Sequence, residues 1–151
     1  MSVHQCARFS VSPKITHTDA VHHVIKYLLG SRDKGLVFKP DLTKSFEVYC
    51  DADFCGLWNR ETAMDDPSTA KSRTGFVILF AGCPLLWTSR LQMDTALSTT
   101  ESEYISLSDA LRETISMMYL LKEITQHKIV DIDTIPVVKC RLFGNNSGSV
   151  E

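Results

Sequence analysis

Apolar and polar positions change period several times along the chain, and each change marks an element. Beyond Pro13, the residues Val21, Val24, Ile25, Leu28 and Leu29 recur at steps of three and four, the stripe of an amphipathic helix. Thr16 and Thr18 can cap it, Asp19 suits its first turn and Gly30 ends it. The opening, Met1 to Pro13, has little periodicity. Gly35 to Phe38 reads as a short strand before a turn at Pro40 and Asp41. From Ser45 to Cys50 the period falls to two, with Phe46, Val48 and Cys50 on one face of a strand. Asp51 and Asp53 follow where that strand finishes. Gly56 to Arg73 is polar and predicts a long surface loop. Thr74 to Ala81 is almost continuously apolar, as a buried strand requires, and Pro84 to Leu91 is its hairpin partner through Gly82-Cys83.

The strongest local signal lies at Ser98-Thr-Thr-Glu101, a capping box in which the serine accepts from a free backbone N–H and the glutamate reaches back. Behind it Tyr104, Leu107, Leu111, Ile115, Met118 and Leu121 define a helix reaching about Ile124, with Met117 and Met118 as core filler. Val137 to Phe143 reads as a further strand, and Gly144 to Gly148 as a turn. Trp87 falls in a strand and is expected in the core, whereas Trp58 falls in a loop. The order of helix, strands, long helix and strand predicts a mixed α/β domain.

Composition narrows the class. At 151 residues, 44% hydrophobic and 23% charged, the chain has the makeup of one globular domain, which excludes a disordered tail or a fibre. The apolar run from Gly75 to Leu86 is broken by Gly82 and Pro84, so no membrane span is expected. The N-terminus lacks the basic and apolar regions of a secretory signal. Net charge is −2. It is uneven: up to Lys44 there are seven basic and three acidic residues, so a basic N-terminal part precedes an acidic remainder. That distribution fits an enzyme holding an anionic polymer over a metal site, and it equally fits a solvated surface. Five scattered cysteines make neither a disulfide framework nor a zinc site, and point to buried free thiols in a reducing intracellular compartment, cytoplasm or nucleus. The five histidines have no ligand spacing.

The candidate chemistry is carboxylate chemistry. Magnesium and manganese are hard ions that need several converging oxygen ligands, drawn from separate chain segments, to act on a phosphodiester. Asp51 or Asp53 after a strand and Glu101 or Glu103 in the first turns of a helix are such segments. The same residues also have ordinary structural uses: Asp51 and Asp53 capping a loop, Glu101 completing the capping box, and Glu103 answering the helix dipole. No serine or cysteine has a histidine partner in sequence, and no Gly-rich phosphate loop occurs.

Four motifs stand in order: Asp51-Ala-Asp-Phe-Cys-Gly56, Ser72-Arg-Thr-Gly-Phe-Val77, Gly82-Cys-Pro-Leu-Leu-Trp87, and Ala96-Leu-Ser-Thr-Thr-Glu-Ser-Glu-Tyr-Ile-Ser-Leu107. Together they resemble the ribonuclease H domain of copia-type (Pseudoviridae) retrotransposon Pol polyproteins. Arg8-Phe9, Pro13, Ile25 to Leu28 and Arg32 to Phe38 resemble the connection from reverse transcriptase to that domain. The resemblance implies a connection segment at 1–44 and a ribonuclease H-like domain at 45–151, a mixed sheet with flanking helices. It implies hydrolysis of the RNA strand of an RNA–DNA hybrid by two-metal chemistry with Mg2+ or Mn2+. The implied partners are the hybrid and the reverse transcriptase domain of the same polyprotein.

Matched position by position, the first metal-ligating Asp is Asp51 and the helix Glu is Glu103, directly before Tyr104. Asp53 matches a position that is often acidic without being a principal ligand. The third Asp falls at Asn145, within Gly144-Asn-Asn-Ser-Gly-Ser149, so an amide stands where the resemblance expects a carboxylate. The fourth acidic ligand and the closing helix would lie beyond Glu151, which makes the expected domain C-terminally truncated. An amide brings no charge, and losing one a few ångströms from a cation costs several kcal/mol, about 4 at an effective dielectric near 20. Impaired hydrolysis is therefore the expectation. The alternatives are a non-catalytic nucleic-acid-binding module and an inactive relic fragment.

Overall fold

The computed structural model describes residues 2–61, 63–129 and 138–144. The chain divides into two compact units, 1–37 and 38–151.

The first unit is a pair of helices, α1 (Ser2–Ala7) and α2 (Ile15–Gly30), which pack on each other. The weakly periodic opening thus contains a helical turn and a half that its pattern does not announce. Helix α2 starts earlier than its threonines suggest. Lys14 is the N-cap residue, its N–H is accepted by His17 Nδ1 at 3.0 Å, and the His17 ring stacks on Phe9 with centroids 4.1 Å apart. At the other end the helix runs through Gly30 and is capped at Ser31, whose hydroxyl donates to Tyr27 O at 2.7 Å. The expected strand at Gly35–Phe38 does not form; among the described residues those four pair with no neighbouring strand.

Among the described residues the second unit holds a four-stranded mixed sheet in the order β3-β2-β1-β4, with β1 at Phe46–Asp53, β2 at Arg73–Phe80, β3 at Cys83–Leu91 and β4 at Cys140–Gly144. β1, β2 and β3 run antiparallel in turn, and β4 lies parallel to β1. With the long helix α3 (Thr99–Gln126) on one face, this is the ribonuclease H-like α/β arrangement that the motif order implies. The β2–β3 turn forms because Ala81 and Gly82 both take positive φ, 51° and 73°, matching the right-handed twist of the paired strands. Past it, Ile78 pairs with Leu86 but Leu79 with Pro84, so Leu85 is an extra residue bulged from the ladder.

The core lies between sheet and α3: Phe46, Val48 and Cys50 from β1, Phe76 and Ile78 from β2, and Ala110 from α3, bordered by Leu107, Met117, Met118 and Leu121. The face that α3 buries is not centred on its largest apolar residues. Its buried positions are Ser102, Glu103, Ser106, Ala110 and Thr114, whereas Tyr104 and Ile115 of the expected stripe are exposed. Small side chains every four residues let the helix backbone come close to the sheet. Trp87 is a second correction. It is 60% exposed, because β3 turns it to the face opposite α3.

Candidate active site

Strand β1 is longer than its alternation suggests. It continues through Asp53, so Asp51 and Asp53 lie inside the ladder, opposite Gly75 and Arg73. Asp51 is exposed and Cys50 beside it is buried, as strand alternation requires. The Asp53 carboxylate turns toward Gly56, where a β-carbon would overlap it, so the glycine of this motif makes room for the acid two residues after Asp51.

Helix α3 delivers the second carboxylate. Ser98 is its N-cap and accepts from Glu101 N–H at 3.1 Å, as the capping box predicts. The reciprocal bond differs: Glu101 Oε2 accepts from Leu97 N–H at 2.7 Å, one residue before the cap. Glu101 is thereby used in capping, and Glu103 is turned inward, 8% exposed, with Oε1 accepting from Ala52 N–H at 3.4 Å. The Glu103 carboxyl stands above the ordinary glutamate range. Burial is the main cause, opposed by the Ala52 N–H and reinforced by the charge of Asp51 and a hydrogen bond with its side chain. The two acids named from the motifs are thus brought together from different elements. The same negative charges, after burial itself, raise the Cys50 thiol.

Several positioning groups carried no signal in the apolar pattern. The Ser106 hydroxyl lies within hydrogen-bond reach of Asp51 O at 2.8 Å and Gly75 O at 3.4 Å, tying α3 to the strand pair directly behind Asp51. Gln92, buried just past β3, donates through Nε2 to Ser102 O at 2.8 Å and Thr74 Oγ1 at 3.2 Å, and its backbone N–H donates to Ser72 O at 2.9 Å. These bonds fix the first two turns of the helix and hence Glu103. The spacing of four in Ser102, Ser106, Ala110 and Thr114 was the available signal.

A hard divalent cation suits this donor set, since two carboxylates share one place and one of them is held against its own charge. Among the described residues no cluster of three or more His, Cys, Asp or Glu forms around them. Asn145, the third position, lies outside the described residues. The five thiols are free, but only Cys50 is buried, which corrects the expectation of buried cysteines; Cys140 is exposed. Among the described residues no helix is long and apolar enough to cross a membrane.

Comparison with known proteins follows the motifs. The chain is 34% identical over 122 residues to the retrovirus-related Pol polyprotein from transposon TNT 1-94 of Nicotiana tabacum, covering 81% of this chain and 8% of that one. It is 27% identical over 143 residues to the Pol polyprotein from transposon RE2 of Arabidopsis thaliana, covering 95% and 9%. The chain belongs to the copia-type retrotransposon Pol family. It spans less than a tenth of the length of these Pol relatives. A relative closer in length is a protein named secreted RxLR effector protein 161 of Plasmopara viticola, 32% identical over 109 residues, which cover 72% of this chain and 70% of that protein. No protein-family profile matches this Pol-related chain, and no solved structure does.

Proposed function

We propose that this Pol-derived domain is a ribonuclease H-type site that hydrolyses the RNA strand of an RNA–DNA hybrid, at a rate reduced by the amide at Asn145. The observation that carries the reading is the meeting of Asp51 and Glu103, one from the end of a central strand and one from the first turns of the helix packed on it. Asp51, on the open side of the sheet, would present its carboxylate to a divalent cation, Mg2+ or Mn2+, and Glu103 would complete the pair from within. When bound, such ions stabilise the attacking and leaving oxygens of the phosphodiester. The Ala52 N–H orients Glu103, Ser106 and Gln92 hold its helix in register, and burial keeps water from competing for its carboxylate. By the resemblance Asn145 would bring an oxygen without a charge, and an attraction missing at about 4 Å would be worth about 4 kcal/mol at an effective dielectric of 20.

In a Pol-sized chain this site would work beside the reverse transcriptase of the same polypeptide, and its free thiols suit a reducing compartment. Cleavage of a labelled RNA–DNA hybrid in magnesium tests the reading. Weak cleavage, abolished by Asp51→Asn and raised at least a hundredfold by Asn145→Asp, is expected. Cleavage that persists in Asp51→Asn, or its complete absence even in Asn145→Asp, would overturn hydrolysis and leave a binding module or relic.

A further inference from the structure

The turn between α1 and α2 is held by a contact that depends on one proton. His17, in the first turn of α2, bonds Lys14 twice. Its backbone N–H donates to Lys14 O at 2.9 Å, and its ring Nδ1 accepts from the Lys14 N–H at 3.0 Å. A nitrogen that accepts carries no proton, so the ring is the neutral tautomer with its hydrogen on Nε2. This is a capping box with an imidazole in the place where glutamate or glutamine is usual. The same ring stacks on Phe9, with centroids 4.1 Å apart and planes 21° from parallel. His17 and Phe9 are half-buried, whereas Ser10 to Thr16 between them are exposed. One side chain therefore both starts α2 and anchors the turn that follows α1.

The charges around this contact oppose a second positive one. α1 and the turn after it carry His4, Cys6 and Arg8, and the cap and first nine residues of α2 carry Lys14, Asp19, His22 and His23. The Arg8 guanidinium lies 5.6 Å from the centre of the Phe9 ring on which His17 stacks. No acid stands in the first turn of α2. A helix start is the positive end of the aligned peptide dipoles, so an imidazolium there meets repulsion from the backbone as well as from Arg8 and Lys14. A proton on Nδ1 thus removes the acceptor and adds charge where the local field is already positive. The Phe9 ring attracts an imidazolium, but that attraction leaves the Lys14 N–H without its partner all the same. Histidine is the side chain whose charge ordinarily changes between about pH 5 and 8.

We infer that His17 is a proton-released latch: neutral, it caps α2 and holds the turn after α1 against it, and protonated, it lets both go. The device lies within unit 1–37 and is independent of the acid pair in the other unit. NMR of the whole isotope-labelled chain tests it. Between about pH 8 and 5, the range in which imidazole gains its proton, the Lys14 amide proton is expected to move upfield in step with the His17 ring signals. Protection of that amide from hydrogen exchange is expected to fall about fivefold, the loss of one cap. His17→Gln keeps an acceptor for the Lys14 N–H and has no proton to gain. In that variant the Lys14 signal is expected to hold its place across the range while His4, His22 and His23 still titrate. A Lys14 amide that stays fixed while the native His17 ring titrates would overturn the latch. So would a shift that persists undiminished in His17→Gln, which would assign the change to the other histidines. Should His17→Gln lose the α2 signals at the upper end of the range, the comparison of Lys14 with His17 in the native chain decides alone.

Discussion

Glu103 carries an electrostatic cost that can be read from pH. Its folded-state pKa is raised above the ordinary 4.5 by burial first and by Asp51. The folded chain therefore binds more protons at this group than the unfolded chain does between those two values. Its favourable contribution is present in full below about 4.5 and is lost as pH climbs through the raised value. Glu103→Gln keeps an oxygen for the Ala52 N–H and removes the charge. The variant is expected to melt higher than the native chain at pH 7, with the difference shrinking below the ordinary glutamate value. Thermal unfolding of both chains from pH 4 to 8 measures this, and a variant that melts lower at pH 7 would contradict it. Arg73 is a different case at the same scale: it is buried, with Nη1 3.3 Å from Ser89 O and Nε without a partner among the described residues. The pairing register puts it opposite Asp53.

At the level of elements, helix α3 is set by its cap and by its close approach to the sheet. Ser98 satisfies one of the free N–H groups at the helix start, so Ser98→Ala should cost about 1 kcal/mol. Chemical denaturation should show this as a shifted midpoint with an unchanged slope; a loss within error of zero would mean that Glu101 and solvent suffice. Much of this helix was legible in advance: the capping box named its first residue, and its length followed from the apolar recurrence. Its buried face was not. A count of large apolar residues favours the side with Tyr104 and Ile115, but a helix lying tight on a sheet buries serine, alanine and threonine first. The hairpin was legible for the same kind of local reason, since the glycine at its turn tolerates positive φ. α1 was missed because six residues hold too few turns to show a period. The strand expected at Gly35–Phe38 was overcalled because four apolar residues make a strand only where a neighbour offers backbone partners.

Across the whole molecule, unit 38–151 has its own helix, sheet and buried cluster. A fragment of those residues is expected to unfold in one cooperative transition by calorimetry. A broad, heatless transition would show that this core does not hold alone. The same unit carries the two acids that the ordered motifs singled out. Trp87 was read as core because β2 and β3 are apolar on both faces, and where both faces are apolar the alternation cannot say which one a helix will cover.

The local chemistry of the chain sufficed for its turns, its cap, its strand pairs and the family resemblance of its acidic motifs, because each depends on neighbours a few residues apart. Pairing Asp51 with Glu103, choosing the small-residue face of α3 and turning Trp87 to the opposite face were decided only in three dimensions. Each of those depends on which surfaces come within a few ångströms of one another, a distance that spacing along the chain does not encode.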